Sequence, residues 1–321
     1  MASTSPFNAI VVLGPTASGK TRLGVRVALA FGGEIVSADS RQVYRELNLG
    51  SGKDLDEYTV DGAAIPYHLI NIADLTQEFS VFDYQQRFYE AFAAIRARGM
   101  LPVVVGGTGL YLEAVLARYR MVAVPENPAL RAELAKLSDA MLLARLAAVK
   151  PRLHNATDLE TRERTIRAIE IAEYSRDHEP EPAPDIRPIV IGTRWNREEL
   201  RHRIRLRLAE RIQAGMIEEV RDLHAAGAPW ERLERLGLEY RFIAEYLQGK
   251  IVRRNDLIQK LGAAIGQFAK RQDTWFRRME RNGWVIHWIP RAETEAAMET
   301  LHRAGLRSGG TAGRQELHDG D

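Results

Sequence analysis

The chain contains no cysteine among its 321 residues. Disulfide bonds, thiolate zinc sites and cysteine nucleophiles are therefore excluded, and a reducing cytoplasm suits such a composition. The sequence also lacks any window of roughly 18 uninterrupted apolar residues, the length that a membrane helix needs. Residues 1–8 have neither the basic start nor the apolar stretch of a signal peptide. We therefore expect a globular cytoplasmic protein with no membrane partner.

Positive charge is unevenly distributed along the chain. The formal net charge is only +2, yet residues 194–281 contain 20 Lys or Arg against 13 Asp or Glu. Such a local excess of positive charge indicates a polyanionic partner, for which nucleic acid is the obvious candidate. The alternative is a solvated helix surface on which acids and bases are mixed.

A phosphate-binding motif follows the apolar run Ala9 to Leu13 and precedes a helix-forming segment. The motif consists of Gly14, Pro15, Thr16, Ala17, Ser18, Gly19, Lys20 and Thr21. Its glycines let consecutive N–H groups converge on one anion, and the following helix adds the positive end of its dipole. Lys20 is expected to reach the outer phosphate and the Thr21 hydroxyl to bind Mg²⁺. A plain glycine-rich turn is the alternative.

Two further strand ends are predicted to lie beside this loop, because the carboxyl ends of parallel strands share one edge of a sheet. Glu34 to Ala38 is followed by Asp39, which suits a general base or a metal ligand; capping a helix from Arg41 to Leu47 is the structural alternative. Leu101 to Val105 is followed by Gly106, Gly107 and Thr108. This strand end carries no acid, which favours close approach of a phosphate or second substrate over water activation. Thr108 could instead cap the next helix.

The remaining pattern predicts an α/β fold, a P-loop NTPase-like parallel sheet flanked by helices, with an all-helical insertion domain. Helices are expected at 81–99, 129–175 with a break at Pro151, 197–226 and 254–281, and strands at 66–72, 189–192 and 284–289. We assign residues 1–118 and 188–290 to the core and 119–187 to the insertion. Residues 291–321 form a terminal helix and a tail that is disordered from Ser308. In the helix from Arg197, Arg203 and Arg207 share one face, so one or both could reach the crevice.

Several blocks together resemble the bacterial tRNA dimethylallyltransferases, also called tRNA isopentenyltransferases. They are Gly14–Thr21, Ile35–Tyr44, Gly106–Tyr111, Arg164–Glu170 and Ala269–Phe276. The resemblance implies transfer of a dimethylallyl group from dimethylallyl diphosphate to N6 of adenosine 37, in tRNAs that read codons beginning with U. It also implies that the loop holds a prenyl donor instead of ATP, which fits the missing acid after Val105.

The resemblance also implies roles for individual residues. Asp39 becomes the general base, Thr108 and Arg207 contact the reacting diphosphate, and Gly14 to Thr21 bind it with Mg²⁺ on Thr21. The expected tRNA contacts are Asp39, Ser40, Arg41, Gln42, Arg131, Glu163, Arg164, Thr165, Ile166, Arg167, Lys270, Arg271 and Gln272. The implied partners are the tRNA anticodon stem-loop and dimethylallyl diphosphate, and we expect a monomer.

Two segments depart from the family pattern. Gly237-Leu238-Glu239-Tyr240 stands where the family has a short Gly-Tyr pair, and Asn155-Ala156-Thr157-Asp158 stands for an Asn-Asp pair before the Arg164 helix. Both departures concern tRNA recognition and leave the transfer chemistry as predicted.

Three other functions remain open from the residues. A P-loop small-molecule or nucleoside kinase would require ATP, and an adenylate dimethylallyltransferase would prenylate free nucleotides. A non-catalytic RNA-binding protein would not lose an activity on Asp39→Ala.

Overall fold

The computed structural model describes residues 5–149, 159 and 161–308. It divides into two units, one formed by Met1–Ala117 with Pro184–Asp321 and the other by Arg118–Ala183. Of the tail predicted from Ser308 to Asp321, all but Ser308 lies outside the described residues, as do Pro151 and the segment Asn155–Asp158. The domain assignment made from the sequence, with its tRNA-binding role for the insertion, stays a prediction.

A six-stranded sheet runs through the first unit. Its strands are β1 (Ala9–Leu13), β2 (Gly33–Ala38), β5 (Tyr67–His68), β6 (Leu101–Gly106), β7 (Pro188–Arg194) and β8 (Ile286–Pro290), and β3 (Thr59–Val60) and β4 (Ala63–Ala64) form a separate antiparallel pair. The order is β5-β2-β6-β1-β7-β8 and all neighbours in it are parallel. The strand that leads into the phosphate-binding loop therefore lies inside the sheet, between β6 and β7.

The helices fall into the two units. In the first unit they are α1 (Lys20–Phe31), α2 (Val81–Ala97), α3 (Gly109–Leu116), α7 (Arg197–Gln213), α8 (Met216–Ala225), α9 (Trp230–Arg235), α10 (Leu238–Leu247), α11 (Arg254–Arg281) and α12 (Thr294–Arg303), with a 3-10 turn at Leu55–Tyr58. In the second they are α4 (Pro128–Leu134), α5 (Asp139–Val149) and α6 (Arg162–Tyr174). The predicted parallel sheet flanked by helices is confirmed.

Alternating residues of β1 pack against different layers, as expected for a strand buried on both faces. Val11 and Leu13 contribute to a core with Phe88 of α2 and Phe276 of α11. Residues on the other face of the strand share a core with helices α1 and α12. A third core joins α7 to α11 and includes Leu261. The helix α11 thus contributes to two cores, because its long apolar face covers both.

Four predicted elements differ from the structure. The helix predicted at 129–175 with a break at Pro151 is also interrupted between Leu134 and Asp139, where Ser138 Oγ accepts from Met141 N and caps the start of α5. No helix forms at residues 41–47, which make turns instead. The strand predicted at 66–72 is limited to Tyr67–His68, because Leu69 and Asn71 have φ values of 62° and 59°, outside the extended region. The helix predicted at 197–226 is interrupted before Met216 at Gly215, whose φ is 103°.

The second unit has its own small core. Leu134, Leu142, Leu146 and Ile169 are buried together where α4, α5 and α6 meet. Among its described residues there is no strand. None of the helices within the described part of the whole chain is long and apolar enough to cross a membrane.

Candidate active site

The phosphate-binding loop is a tight connection between β1 and α1. Gly14 has no room for a side chain, because a Cβ atom would lie 2.0 Å from Thr193 Oγ1 and 2.7 Å from Ser18 Oγ. Gly19 has a φ of 81°, in the left-handed region that favours glycine. The first N–H groups of α1 have no acceptor within the helix, so they and the helix dipole favour an anion at this point.

Side chains from β7 and α7 hold the loop in place. Thr193 donates a hydrogen bond to Ser18 Oγ at 2.6 Å, and Trp195 Nε1 donates to Ser18 O at 2.8 Å. Arg203 Nε donates to Ala17 O at 2.8 Å while its guanidinium lies 4.3 Å from the Trp195 ring centroid. Sequence reasoning missed Thr193 and Trp195. Their position at the end of a parallel strand next to β1 was the available signal.

Lys20 lies where several charges meet. Burial lowers the pKa of Lys20 from 10.5 to about 8; the Asp39 carboxylate opposes this shift, and the Arg207 guanidinium adds to it. Its Nζ lies 3.4 Å from Pro15 O, to which it donates. A lysine with this pKa carries most of its charge at neutral pH and gains a counter-charge when an anion binds.

Asp39 directly follows β2 and begins a turn. Its Oδ1 accepts hydrogen bonds from Arg41 N at 2.8 Å and Gln42 N at 3.4 Å. The alternative that it caps a helix from Arg41 to Leu47 is wrong, because those residues form turns. The other carboxylate oxygen, Oδ2, is not engaged in these two bonds, so the side chain keeps an acceptor for a substrate proton.

The neighbouring predicted tRNA contacts have partners within the protein. Gln42 Oε1 accepts from Ser37 Oγ at 2.9 Å, and Gln42 Nε2 donates to Gly52 O at 3.1 Å. Arg41 lies against Gly237, where a Cβ atom would be 2.9 Å from Arg41 Nε. The segment that departs from the family pattern therefore contacts one of the residues expected to touch tRNA.

Thr108 lies between β2 and the phosphate-binding loop, as the strand order requires. Its Oγ1 accepts a hydrogen bond from Ser40 N at 3.2 Å, and its N–H donates to Ala38 O at 3.2 Å. It occupies the N-cap position of α3, but its hydroxyl makes no capping bond. The alternative of a capping threonine is therefore wrong for the side chain, which instead ties the β6 end to the Asp39 turn.

Two arginines of α7 share one carboxylate beside the loop. Arg207 NH2 lies 2.6 Å from Asp54 Oδ2, and Arg211 NH2 lies 3.2 Å from both Asp54 oxygens. Burial lowers the pKa of Arg211, and the neighbouring Arg207 adds to this shift. Sequence reasoning named Arg207 but missed Arg211, one turn further along the helix, and Asp54, which belongs to none of the motifs found in the sequence.

A cleft opens between these arginines and the loop. Its volume is about 290 Å³, part of which is open to solvent. It is lined by Thr16, Ala17, Ile204, Arg207, Leu208, Arg211, Met216, Glu239 and Ile265. Burial raises the pKa of Glu239, and its own backbone N–H and Arg211 oppose that shift. One wall is thus apolar and the other cationic, which suits an amphipathic anion.

The predicted contacts Lys270, Arg271 and Gln272 are separated by the structure. Lys270 and Arg271 are exposed, and the Arg271 guanidinium lies 5.7 Å from the Phe268 ring centroid. Gln272 is buried, with hydrogen bonds to Thr16 N and Gly107 O, both 2.8 Å. Adjacent helix positions point about 100° apart, and this change of direction explains the difference.

In the second unit, two of the three predicted arginines converge on one buried acid. Glu170 accepts from Arg131 Nε at 3.1 Å and NH2 at 2.9 Å, and it also pairs with Arg167. Burial raises the pKa of Glu170, but the hydrogen bonds from Arg131 and Arg167 outweigh it and hold the pKa at about 2. Arg167 also donates to Val124 O at 2.8 Å.

The other predicted contacts of this unit lie at the start of α6. Thr161 caps that helix by accepting from Arg164 N at 3.3 Å, and Thr165 Oγ1 donates to Thr161 O at 3.2 Å. Glu163 and Ile166 lie in the same first turns.

Among the residues that the structure describes, no group of three or more His, Asp or Glu could hold a metal ion. The Thr21 hydroxyl in the first turn of α1 is a suitable single oxygen ligand. Mg²⁺ is often held by one or two protein oxygens together with substrate phosphates and water, so this donor set fits that ion only with a bound diphosphate.

The parallel sheet, the anion-binding loop and the amphipathic cleft define a P-loop protein whose site suits a phosphorylated, partly apolar compound. The IPP transferase family model matches residues 42–279, and the isopentenyl transferase model matches residues 7–64. This chain belongs to the IPP transferase family.

Individual relatives agree with that assignment. The tRNA dimethylallyltransferase 1 of Geotalea uraniireducens is 58% identical over 282 residues, which are 88% of this chain and 92% of that protein. The tRNA dimethylallyltransferase 2 of Syntrophotalea carbinolica is 59% identical over 284 residues, 88% and 94% of the two chains. The crystal structure of the tRNA isopentenylpyrophosphate transferase of Bacillus halodurans has a TM-score of 0.66 at 29% identity, covering 92% of this chain and 94% of that one.

Proposed function

We propose that this protein transfers a dimethylallyl group from dimethylallyl diphosphate to N6 of adenosine 37 in tRNAs that read codons beginning with U. The products are diphosphate and N6-dimethylallyladenosine. One observation of the site carries the proposal: the strand β6, which pairs with the strand leading into the phosphate-binding loop, ends at Gly106 and is followed by Gly107 and Thr108. A hydrolysing P-loop enzyme would usually place an acid there to hold the metal and its water. The names of the relatives support the same activity.

The donor is oriented by its two unlike ends. The diphosphate binds at the loop, where Lys20 and the N–H groups at the start of α1 supply positive charge. Arg207 clamps it from the side of the cleft. The five-carbon chain lies along the apolar wall, to which Leu208 and Ile265 contribute. Fixed cations stabilise the charge that accumulates on the diphosphate as it leaves.

The reaction is a displacement at the allylic carbon. The N6 nitrogen forms a bond to C1 of the dimethylallyl group while the bond from C1 to the diphosphate oxygen breaks. Adenine N6 is a poor nucleophile because its lone pair is delocalised into the ring. Asp39 accepts the N6 proton as the new bond forms, which contributes about 10²- to 10⁴-fold to the rate. Thr108, held at the same strand end, hydrogen-bonds the reacting diphosphate.

Thr21 would hold Mg²⁺ in this site together with the oxygens of the bound diphosphate. When bound, the ion supplies positive charge that neutralises the diphosphate and favours its departure.

The base must leave its stack before it can reach Asp39. Flipping a base out of an anticodon loop costs a few kcal/mol, and phosphate contacts from basic helices offset this cost. Lys270 and Arg271 are exposed on α11 and available for such contacts. In the insertion, Arg131 and the α6 residues 163–167 are proposed to contact the same tRNA. Binding should weaken as salt concentration rises, because these contacts release counterions.

We further propose that the enzyme acts as a monomer in the cytoplasm, where tRNA is available and a cysteine-free chain needs no oxidising environment. Size-exclusion chromatography with light scattering checks the oligomeric state, and a dimer of about 72 kDa, twice the 36.2 kDa of the chain, would contradict it.

The experiment that tests the function supplies one donor with two acceptors. Purified protein is incubated with Mg²⁺ and radiolabelled dimethylallyl diphosphate. One reaction contains an unmodified anticodon stem-loop with adenosines 36 and 37, and the other contains AMP. Nucleosides are then separated. Label in the stem-loop as N6-dimethylallyladenosine establishes the reaction and its RNA substrate together.

The other outcomes each contradict the proposal. Label in AMP alone would identify an adenylate dimethylallyltransferase. Label in neither acceptor, with turnover of ATP, would identify a kinase. Tight stem-loop binding without any turnover would identify an RNA-binding protein.

A further inference from the structure

A single buried glutamine connects α11 to the centre of the site. Gln272 has 7% of its surface exposed and lies on the buried face of α11, between Ala269 in one core and Phe276 in another. An amide in such a place is destabilising unless its donor and acceptor both find partners. The partners of Gln272 therefore indicate its role.

The oxygen and the nitrogen of the Gln272 side-chain amide each form a hydrogen bond with a backbone group of the active site. Oε1 accepts from Thr16 N in the phosphate-binding loop at 2.8 Å, and Nε2 donates to Gly107 O after β6 at 2.8 Å. An N–H needs an acceptor and a carbonyl needs a donor, so the two partners also determine which way the amide is turned. The approach at Gly107 is close: a Cβ atom there would lie 2.5 Å from Nε2 and 2.9 Å from Gly14 O.

This bridge spans the two segments that the donor diphosphate must contact at once. Thr16 opens the phosphate-binding loop, and Thr108 follows Gly107 directly. Because the Thr16 N–H is occupied by Gln272, the phosphate is left to the N–H groups further along the loop. We propose that Gln272 is a positioning residue. It fixes the distance between the phosphate-binding loop and the end of β6, so that both can contact the diphosphate. The inference rests on the donor site proposed above.

The same observations separate Gln272 from its neighbours Lys270 and Arg271, with which the sequence grouped it as a tRNA contact. To touch a tRNA, Gln272 would have to give up both bonds and leave a buried N–H and C=O without partners. Lys270 and Arg271 are exposed and need no such rearrangement.

The test uses the variant Gln272→Met, which keeps the unbranched shape of the side chain but removes its hydrogen bonds. Inorganic diphosphate with Mg²⁺ is titrated calorimetrically, and a stem-loop is titrated separately. We expect the Kd for diphosphate to rise about tenfold, as loss of one or two buried hydrogen bonds implies, and the Kd for the stem-loop to change less than twofold. Hydrogen exchange of the Thr16 amide should accelerate about tenfold, because its acceptor is gone.

Two matched variants accompany this one. Gln267→Met makes the same change at an exposed position of α11 and should alter none of the three measurements. Arg271→Ala should weaken stem-loop binding and leave the diphosphate Kd unchanged.

An unchanged diphosphate Kd in Gln272→Met would overturn the inference, and so would a loss confined to the stem-loop. If Gln272→Met does not fold, Gln272→Glu replaces it, because the carboxylate still accepts from Thr16 N but cannot donate to Gly107 O. Retained diphosphate affinity in that variant is the contrary result. None of these titrations requires turnover, so they are independent of whether the prenyl transfer itself is observed.

Discussion

Raising the pH from 7 to 9 should weaken the binding of dimethylallyl diphosphate about tenfold, because Lys20 loses its charge over this range. Burial lowers the pKa of Lys20 to about 8 in the folded protein. Roughly nine-tenths of the molecules therefore carry this charge at pH 7, about half at pH 8 and roughly one-tenth at pH 9. The anion binds to the charged form, so affinity is highest below pH 8 and falls above it.

Proton uptake gives an independent measure of the same effect. A bound diphosphate raises the pKa of Lys20, so at pH 8 binding should take up as much as about half a proton per site. Calorimetric titrations at pH 7, 8 and 9, each in two buffers of different ionisation enthalpy, report both the Kd and the proton count. Lys20→Arg is the control, since arginine stays protonated throughout and should remove most of the slope with pH.

A second lysine makes this control necessary. Burial also lowers the pKa of Lys53 to about 8, and its Nζ donates to Tyr44 O at 2.7 Å. If Lys20→Arg keeps the full pH dependence, the reasoning about Lys20 is wrong and Lys53 is the group that titrates. A Kd that is constant from pH 7 to 9 would refute the argument for both lysines.

Three further predictions concern the acids and the tRNA surface. Asp39→Ala should lower the rate of transfer about 10²- to 10⁴-fold while the stem-loop still binds; equal loss of binding and rate would count against a general base. Arg271→Ala should raise the Kd for the stem-loop and reduce its dependence on salt, whereas an unchanged salt slope would show that Arg271 does not reach a phosphate. Asp54→Asn should lower the free energy of unfolding in urea by about 1 kcal/mol, because Arg207 and Arg211 lose a shared, partly exposed counter-charge. Saturating diphosphate should restore part of that loss, and no restoration would mean that the ligand lies elsewhere.

The sequence was most informative where a local pattern determines the conformation. The glycine spacing from Gly14 to Gly19 and the apolar run before it identify the loop, because few backbones satisfy both. The helical periodicity of the apolar residues from Arg254 to Arg281 predicted α11 with the bounds that the structure has. Asp39 was placed at the crevice from the rule that parallel strands end on one edge, and the structure puts it next to the Thr108 turn through Ser40.

Features that depend on distant segments could not be predicted. The pairing of Asp54 with Arg207 joins residues 153 positions apart, and a carboxylate in a loop carries no local sign of its partner. Gln272 was grouped with two charged neighbours because sequence adjacency hides a change of helix face. Glycine inside a periodic segment is often tolerated, so the left-handed Gly215 that interrupts the helix after Gln213 was not distinguishable from a helical one.

The order of the strands has a consequence for the synthesis of the chain. The loop at Gly14 leaves the ribosome before the strands that flank β1, which pairs with β6 through Val11 and Val104 and with β7 through Val11 and Val190. During synthesis, a strand can pair only with strands that have already left the ribosome. About 180 further residues must therefore be synthesised after the loop before β6 and β7 are both present. Roughly 80 more are needed before Gln272 can bind the loop. Ribosome-bound chains that end near residue 200 should thus lack the diphosphate affinity that the complete chain acquires last.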